Sequence, residues 1–278
     1  MATQSLIYPS FAKINLFLHI TGKRHDGYHD LQTWFQFIDL KDYLHFTPRQ
    51  DNEISILSNI KITELYNNLV YKASNALKAF AQNPIGFDIF IEKNIPLGAG
   101  LGGGSSNAAT TLIALNTLWQ CNLSNEMLHA IGVKLGADVP IFLFQKAAWA
   151  EGIGELLTEK PYIEQYALII KPNFHASTAK LFNHPSLNKH KPLLDKNAEI
   201  DLSQQENVFL IAISNLYPDV CQELNKLPDA NQLKLTGTGA CFYLLNPDLD
   251  RLLQNKKNLK KDIDSWIVKT LNFAPVER

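Results

Sequence analysis

Five glycines lie in the seven-residue stretch from Gly98 to Gly104, within the segment PLGAGLGGGSSNAAT. The chain has only 14 glycines in 278 residues, so this local density needs a physical reason. The N–H groups of a glycine-rich turn converge on anions, and a following helix adds unpaired N–H groups and the positive end of its dipole. The segment therefore predicts a phosphate-binding loop. We expect a side chain at Gly102 or Gly103 to block phosphate without unfolding the protein.

The residues around the glycines predict the elements that hold them. Before the glycines, Phe87, Ile89 and Ile91 alternate with Asp88 and Glu92, as in a half-buried strand. After the glycines, four apolar residues recur at the spacing of one helix face: Ala108, Leu112, Leu115 and Trp119. The loop is therefore predicted to join a strand to the N-terminus of a helix.

A second helix is predicted to begin after Ser124, a favourable N-cap, and to end at Gly136. Helical periodicity is then lost in EGIGELLTEKP, and a new strand, YALIIKP, begins at Tyr166. We place a domain boundary between them, which gives domains of residues 1–155 and 156–278.

The second half alternates strands and helices without a fixed repeat. After YALIIKP the sequence predicts a polar loop, a helix in ENVFLIAISNLYPDVCQEL and two strand pieces around a glycine turn in LKLTGTGACFYLL. A helix in DLDRLLQNKK and a strand in SWIVKTL follow. This pattern is typical of an α+β domain.

Composition excludes several classes of protein. Lys and Arg number 26 against 27 Asp and Glu, so bulk charge attracts neither nucleic acid nor an anionic membrane. No apolar run is long enough to span a bilayer, and FAKINLFLHI is interrupted by Lys13 and Asn15. The three cysteines are too few and too scattered for a disulfide framework. We expect a cytoplasmic protein that binds no nucleic acid and no membrane.

Two familiar phosphate loops fit the segment poorly. A Walker A loop ends in Gly-Lys-Ser/Thr, but Gly104 is followed by Ser105 and the loop contains no lysine. Gly98, Gly100 and Gly103 satisfy the dinucleotide fingerprint G-x-G-x-x-G, which also requires an acidic residue about 20 positions later. No acidic residue occurs from position 105 to 125. A flexible connector remains the alternative without function.

The segment from Pro96 to Ser106 resembles the phosphate loop of the GHMP kinases, a superfamily of small-molecule kinases. FAKINLFLHITGKRHDGYHDLQT, LGADVP and LTGTGACFYLL resemble its other motifs, in the expected order. The resemblance implies a GHMP kinase fold with an N-terminal α/β domain, a C-terminal ferredoxin-like domain and an active site between them. It also implies MgATP as phosphate donor. The acceptor it implies is the 2-hydroxyl of the methylerythritol part of a cytidine diphosphate conjugate, in the non-mevalonate route to isoprenoid precursors.

The resemblance assigns the catalytic step to Lys13 and Asp138. It implies that Asp138, in GADVP, accepts the proton of the acceptor hydroxyl, and that Lys13 positions this hydroxyl and stabilises charge. The local sequence alone also allows a purely structural role for each residue. Asp138 is suitably placed to cap a helix ahead of Pro140, and Lys13 fits a solvated side chain at a sheet edge.

The resemblance also assigns residues to ATP. Asn68 and Asn107 match positions near the adenine, although helix capping or loop hydrogen bonding would also account for an asparagine. Magnesium is expected to bind mainly to ATP phosphates, with Ser106 as a possible protein ligand. The complete predicted ATP site comprises Pro96, Gly98, Ala99, Gly100, Leu101, Gly102, Gly103, Gly104, Ser105, Ser106, Asn68 and Asn107.

The acceptor site implied by the resemblance comprises Asn15, Tyr28, His29, Thr178, Phe182, Gly237 and Gly239. Tyr28, His29 and Phe182 supply aromatic faces and a polar edge for cytosine, with core packing as the alternative for Tyr28 and Phe182. A kinase of the homoserine or mevalonate type and, outside kinases, a dinucleotide-dependent oxidoreductase remain alternatives. The sequence leaves the oligomeric state open.

Overall fold

The computed structural model describes residues 5–277, in which ten β-strands and eight α-helices are formed. The strands are β1 Leu6–Lys23, β2 His29–Pro48, β3 Ile54–Ser58, β4 Phe87–Glu92, β5 Ala148–Glu151, β6 Leu156–Glu159, β7 Tyr166–Lys171, β8 Lys234–Leu235, β9 Phe242–Asn246 and β10 Asp264–Leu271. The helices are α1 Leu69–Lys78, α2 Gly103–Leu118, α3 Asn125–Leu135, α4 Val139–Phe144, α5 Thr178–Phe182, α6 Leu210–Leu216, α7 Pro218–Leu224 and α8 Leu249–Lys257.

A long antiparallel hairpin of β1 and β2 frames the first half of the molecule. β2 also pairs with β4 and β5, and β4 pairs in parallel with β3. The register between β1 and β2 shifts between Asn15 and Leu18, which marks a β-bulge in β1. Because a bulge disrupts the ladder, its backbone groups need other hydrogen-bond partners.

Helix α2 packs its predicted apolar face into the core of the first half. Each of the four residues at helical spacing, Ala108, Leu112, Leu115 and Trp119, is at most 1% exposed. Ser124 caps α3 by accepting a hydrogen bond from the Met127 N–H group, and Gly136 ends that helix. The predictions for the strand before the glycines and for both helices after them are confirmed.

The second half forms an antiparallel sheet in the order β10-β7-β9-β8. Helices α5, α6 and α7 lie between β7 and β8 along the chain and α8 lies between β9 and β10, which gives the β-α-β-β-α-β arrangement of a ferredoxin-like domain. Thr270 and Leu271 of β10 also pair with β2. The two halves therefore share hydrogen bonds, and the predicted GHMP kinase architecture is confirmed.

One helix prediction is wrong. The segment ENVFLIAISNLYPDVCQEL contains two helices, α6 and α7, which meet at Tyr217. Tyr217 has φ −133° and ψ 58°, outside the helical region. Pro218 explains the break, because proline donates no backbone hydrogen bond and disfavours helical geometry in the residue before it.

The predicted boundary at residues 155/156 lies in the turn between β5 and β6, which pair with each other. The core of the second half also includes Leu18 and Ile20 from β1. The boundary stays a prediction. No helix within residues 5–277 is both long enough and apolar enough to cross a membrane.

A buried polar cluster around Asp42 fixes the path of the chain into the glycine loop. Asp42 is fully buried, and its Oδ1 accepts hydrogen bonds from the N–H groups of Asn94 and Ile95 at 2.7 and 2.8 Å. Its Oδ2 accepts from Lys93 Nζ and, at 2.9 Å, from Asn107 Nδ2. The cluster thus ties β2 to the end of β4 and to the first turns of α2.

We predict that Lys93→Met destabilises the protein strongly, because it leaves the carboxylate of Asp42 buried without its cation. Breaking a buried ion pair in this way costs about 3–5 kcal/mol in the free energy of unfolding. The matched control is Lys146→Met. Lys146 pairs with Glu159 at 2.6 Å, but these side chains are 46% and 55% exposed, and such a pair contributes at most about 1 kcal/mol. Urea denaturation measures the free energy of unfolding of both variants. Equal decreases in the two variants would contradict the prediction.

Candidate active site

The glycine-rich segment forms a tight turn between β4 and α2. Gly98, Gly100 and Gly102 have φ angles of 62°, 74° and 74°. A Cβ at Gly100 would lie 2.4 Å from the Thr236 carbonyl oxygen, and one at Gly102 would lie 2.6 Å from the Phe142 ring. The expectation that a side chain at Gly102 leaves the fold intact is therefore wrong, because both its backbone conformation and its packing exclude one.

The loop is held on two sides by distant parts of the chain. From β1, the Lys13 N–H group donates to the Leu101 carbonyl at 3.1 Å. From the turn before β9, the Cys241 N–H group donates to the Ala99 carbonyl at 3.1 Å. Gly237 packs directly on the loop, since a Cβ there would lie 2.8 Å from the Gly100 carbonyl oxygen. These contacts pre-form the turn.

Lys13 and Asp138 form an ion pair beside this loop. Lys13 Nζ lies 3.4 Å from Asp138 Oδ2, and it donates hydrogen bonds to Asn15 Oδ1 at 2.8 Å and to the Gly100 carbonyl at 3.2 Å. The Lys13 side chain is 2% exposed, whereas that of Asp138 is 38% exposed. A fixed, dehydrated ammonium thus faces a carboxylate that solvent or a ligand can reach.

The local alternatives for these two residues are resolved by their surroundings. The interpretation of Lys13 as a solvated side chain at a sheet edge is wrong, because the side chain is buried. Asp138 does occupy the N-cap position of α4, but its side chain accepts no capping hydrogen bond. Its carboxylate is therefore not used to hold the helix.

A cavity of about 310 Å³, here called the Asp138 cavity, opens at this ion pair. It brings together predicted residues from five distant parts of the sequence: Lys13, Asn15, Gly100, Ser105, Asp138, Thr178, Phe182 and Gly237. Thr33, Phe209 and Thr238 also line it. A small molecule in this cavity would lie against both the loop and the ion pair.

A second cavity of about 590 Å³, the Asn107 cavity, lies on the other side of the loop. Gly98, Gly104, Asn68 and Asn107 line it, together with Lys93. The N-terminus of α2 therefore stands between two cavities. The first turn of a helix has unpaired N–H groups that bind phosphate. A phosphate chain bound at this point would lie between the two cavities.

The two predicted asparagines also have structural partners. Asn68 caps α1 by accepting from the Val70 N–H group at 2.9 Å, as the capping alternative proposed. Asn107 accepts from Lys93 Nζ at 3.1 Å and donates to Ser10 Oγ at 2.9 Å. Both side chains are thus held rigidly at the wall of the Asn107 cavity, and their contact with a nucleotide stays a prediction.

Three residues predicted for the acceptor site lie outside the lining of both cavities: Tyr28, His29 and Gly239. Tyr28 is 61% exposed, so core packing is the wrong explanation for it. The His29 ring stacks on Phe182, with centroids 5.0 Å apart and an interplanar angle of 29°. Burial is the main cause that lowers the pKa of His29, helped by Lys189. Gly239 packs among apolar side chains behind the loop.

Several residues at the site were not found by sequence reasoning. Thr33 and Thr236 bond to Asn15 at 2.8 and 3.0 Å, and Asn207 Nδ2 donates to the Gly237 carbonyl at 2.7 Å. Thr33 and Thr236 lie within the motif segments quoted above but were given no role there, and no motif marks Asn207. Lys93 is different, since a lysine directly after a buried strand and before a glycine loop was a visible signal.

The Lys13–Asp138 pair lies in one of two cavities that adjoin the glycine loop, as expected of a kinase that binds ATP and a small acceptor at one phosphate loop. The kinase class is that of the superfamily whose motifs the sequence contains. The model of the GHMP kinases N terminal domain matches residues 68–146, which include the loop, α2, α3 and Asp138.

Similar proteins identify the member of this class. A 4-diphosphocytidyl-2-C-methyl-D-erythritol kinase of Francisella tularensis subsp. holarctica is 52% identical over 271 residues, 96% of this chain and 97% of the relative. One of Francisella philomiragia is 49% identical over 268 residues, with the same coverage. A crystal structure of 4-(cytidine 5'-diphospho)-2C-methyl-D-erythritol kinase matches with TM-score 0.80 and 28% identity, over 95% of this chain and 99% of that one. The chain belongs to the 4-diphosphocytidyl-2-C-methyl-D-erythritol kinase family.

We predict that Gly104→Val weakens ATP binding at least about tenfold, or 1.4 kcal/mol, without lowering stability. Gly104 is exposed at the Asn107 cavity, and the nearest atom to a Cβ there is Leu69 Cδ1 at 3.9 Å. Its side chain would occupy the space of the phosphates, while replacing glycine favours the helix. Gly104→Ala should have a smaller effect, and Gly102→Val should lower the Tm. ATP titration with thermal melts tests this, and unchanged affinity in folded Gly104→Val would contradict it.

Proposed function

We propose that this chain transfers the γ-phosphoryl group of ATP to the 2-hydroxyl of 4-diphosphocytidyl-2-C-methyl-D-erythritol, in the non-mevalonate route to isoprenoid precursors. The observation that carries the proposal is the Lys13–Asp138 pair, 3.4 Å apart, in a cavity that touches the phosphate loop at Gly100. Similarity to kinases of this name over 96% of the chain supports the same acceptor.

In the proposed reaction the acceptor hydroxyl lies between Asp138 and the end of the ATP phosphate chain. Its oxygen attacks the γ-phosphorus, its proton passes to the Asp138 carboxylate, and ADP leaves. Lys13 holds the hydroxyl and balances the charge of the transferring oxygens. Asn15 and Gly100 fix its ammonium, so little reorganisation is needed during the reaction.

ATP is proposed to bind with its base in the Asn107 cavity, near Asn68 and Asn107, and its phosphates along residues 96–106. The N–H groups at the start of α2 and the positive end of its dipole supply the attraction, since the loop contains no lysine. Ala99 and Leu101 are buried and contribute through their backbone.

Magnesium is expected to accompany ATP, where it would neutralise the charge of the phosphates. Within residues 5–277 no three His, Cys, Asp or Glu side chains are grouped to hold a metal, so phosphates and water would supply most ligands. Ser106 fits poorly as a ligand, because it is 2% exposed and its hydroxyl donates to the Phe11 carbonyl at 2.6 Å. Ser105 and Asp138 line the Asp138 cavity, and their side-chain oxygens would fit better.

Cytosine is proposed to bind at the aromatic group of Tyr28, His29 and Phe182. His29 Nε2 has no hydrogen-bond partner within residues 5–277, and the polar edge of a base would supply the one that it lacks. Phe182 supplies a ring face at the wall of the Asp138 cavity, and the exposed Tyr28 can close over a base. Thr178 and Gly237 are proposed to contact the acceptor beside it, while the role of Gly239 stays a prediction.

A panel of acceptors tests the function. Purified protein with MgATP is given the cytidine diphosphate conjugate, mevalonate, homoserine or galactose, and ADP release is measured. We expect turnover with the cytidine conjugate alone. Preference for another acceptor would contradict the substrate and leave the kinase class intact. No phosphorylation of any of the four would contradict the proposal as a whole.

We predict that Asp138→Asn lowers kcat by about a hundredfold or more and leaves ATP affinity nearly unchanged. The amide cannot accept the proton, and the helix loses no cap because Asp138 makes no capping hydrogen bond. Asp248→Asn is the control, since Asp248 caps α8 far from the site through the N–H groups of Asp250 and Arg251. Near-normal kcat in Asp138→Asn would exclude Asp138 as the base.

A further inference from the structure

Thr33 lies on β2 opposite the bulge of β1 and is 1% exposed. Its hydroxyl donates a hydrogen bond to the Phe17 carbonyl, with 2.5 Å between the oxygens. Phe17 lies within the register shift between Asn15 and Leu18, where the ladder is disrupted. The hydroxyl of Thr33 therefore supplies a hydrogen bond that the irregular strand pairing does not.

The use of this proton determines what else Thr33 can do. A threonine hydroxyl has one proton, so once that proton is donated to Phe17 the oxygen can only accept. Asn15 Nδ2 lies 2.8 Å from it and donates. The amide end of the Asn15 side chain must face Thr33, and its carbonyl oxygen must face the opposite way.

The carbonyl end of Asn15 faces three donors of the active site, one of them the Thr236 hydroxyl at 3.3 Å. Asn15 Oδ1 accepts from Lys13 Nζ at 2.8 Å and from the Gly237 N–H group at 3.0 Å. Lys13 in turn meets Gly100 and Asp138. A directed series of hydrogen bonds thus runs from the backbone of the bulge through two side chains to the ammonium beside the reacting hydroxyl.

We infer that Thr33 is a positioning residue for phosphoryl transfer: it fixes the amide orientation of Asn15, which aligns Lys13 and directs the remaining Nδ2 proton of Asn15 for the acceptor. The inference rests on the proposed function. Without the Thr33 hydroxyl, the Asn15 Nδ2 hydrogen that is donated to it loses its acceptor. A flipped amide would instead place its donors against the ammonium of Lys13 and the N–H group of Gly237. Neither orientation satisfies every buried group, and the flipped one takes the Asn15 acceptor away from Lys13.

Thr33→Val tests the inference, because valine keeps the shape and removes the hydroxyl. We expect kcat to fall about tenfold to a hundredfold, the loss typical of slightly misplaced catalytic groups, with the KM for ATP unchanged. Thr33→Ser restores the hydroxyl and should recover most of kcat. Thr33→Cys, with a weakly bonding thiol, should give an intermediate kcat and provides a second variant if valine impairs folding.

Thr270→Val is the matched control. Thr270 is also 1% exposed, and its hydroxyl likewise bonds twice, accepting from the Gln165 N–H group at 2.8 Å and donating to the Gln165 carbonyl at 3.2 Å. The two valine variants should lose similar amounts of Tm, but only Thr33→Val should lose kcat.

Three results would overturn the inference. Unchanged kcat in Thr33→Val with a lowered Tm would make Thr33 a structural residue. An increase in the KM for the cytidine conjugate with kcat unchanged would make it a direct contact of the acceptor. Failure of serine to recover kcat would show that the hydroxyl is not the group that acts. The unmodified protein is assayed in parallel. Its inactivity towards the cytidine conjugate would contradict the proposed function itself, which separates that failure from failure of the inference.

Discussion

The close backbone contact between Gly100 and Gly237 is the constraint on which the rest of the site depends. The two glycine turns come from different halves of the chain and approach until no Cβ fits at either position. This approach allows the Cys241 N–H group to bond to the Ala99 carbonyl and the N–H group of Gly237 to reach Asn15. One contact thus shapes the phosphate turn and forms a wall of the Asp138 cavity.

Two buried polar clusters support this contact from opposite sides. Asp42 organises the chain at the Asn107 cavity, and Asn15 does so at the Asp138 cavity. Removing such groups from water is costly unless each finds a partner, and at these points the partners are backbone groups of the loop and its neighbours. In each cluster the hydrogen bonds offset the cost of desolvation and fix the geometry of the loop. Phosphoryl transfer depends more on such positioning than on reactive side chains.

The sequence predicts what is local and fails where contacts are distant. The glycine turn, α2 and α3 were predictable because their periodicity and caps lie within a few residues of one another. The burial of Lys13 was not, since strand periodicity says nothing about the ion partner 125 positions away at Asp138. Thr33 ends the first motif segment, but nothing local indicates its role, which depends on a bulge in another strand. The break at Pro218 has a local cause, unlike the burial of Lys13. The proline was visible in the sequence, but its effect on the helix was overlooked.

The origin of the loop's contacts bears on how the enzyme is made. The turn is held by β1 at Lys13 and by the segment ending at Cys241, and Asn15 bonds to Gly237 across 222 positions of sequence. Domains fold largely as units during synthesis from the N-terminus, and distant pairings form last because closing long loops costs entropy. A nascent chain that has been synthesised only through α2 still lacks the contacts that the segment from Gly237 to Cys241 makes with the glycine loop. The glycine turn therefore acquires its full set of backbone contacts only near the end of translation.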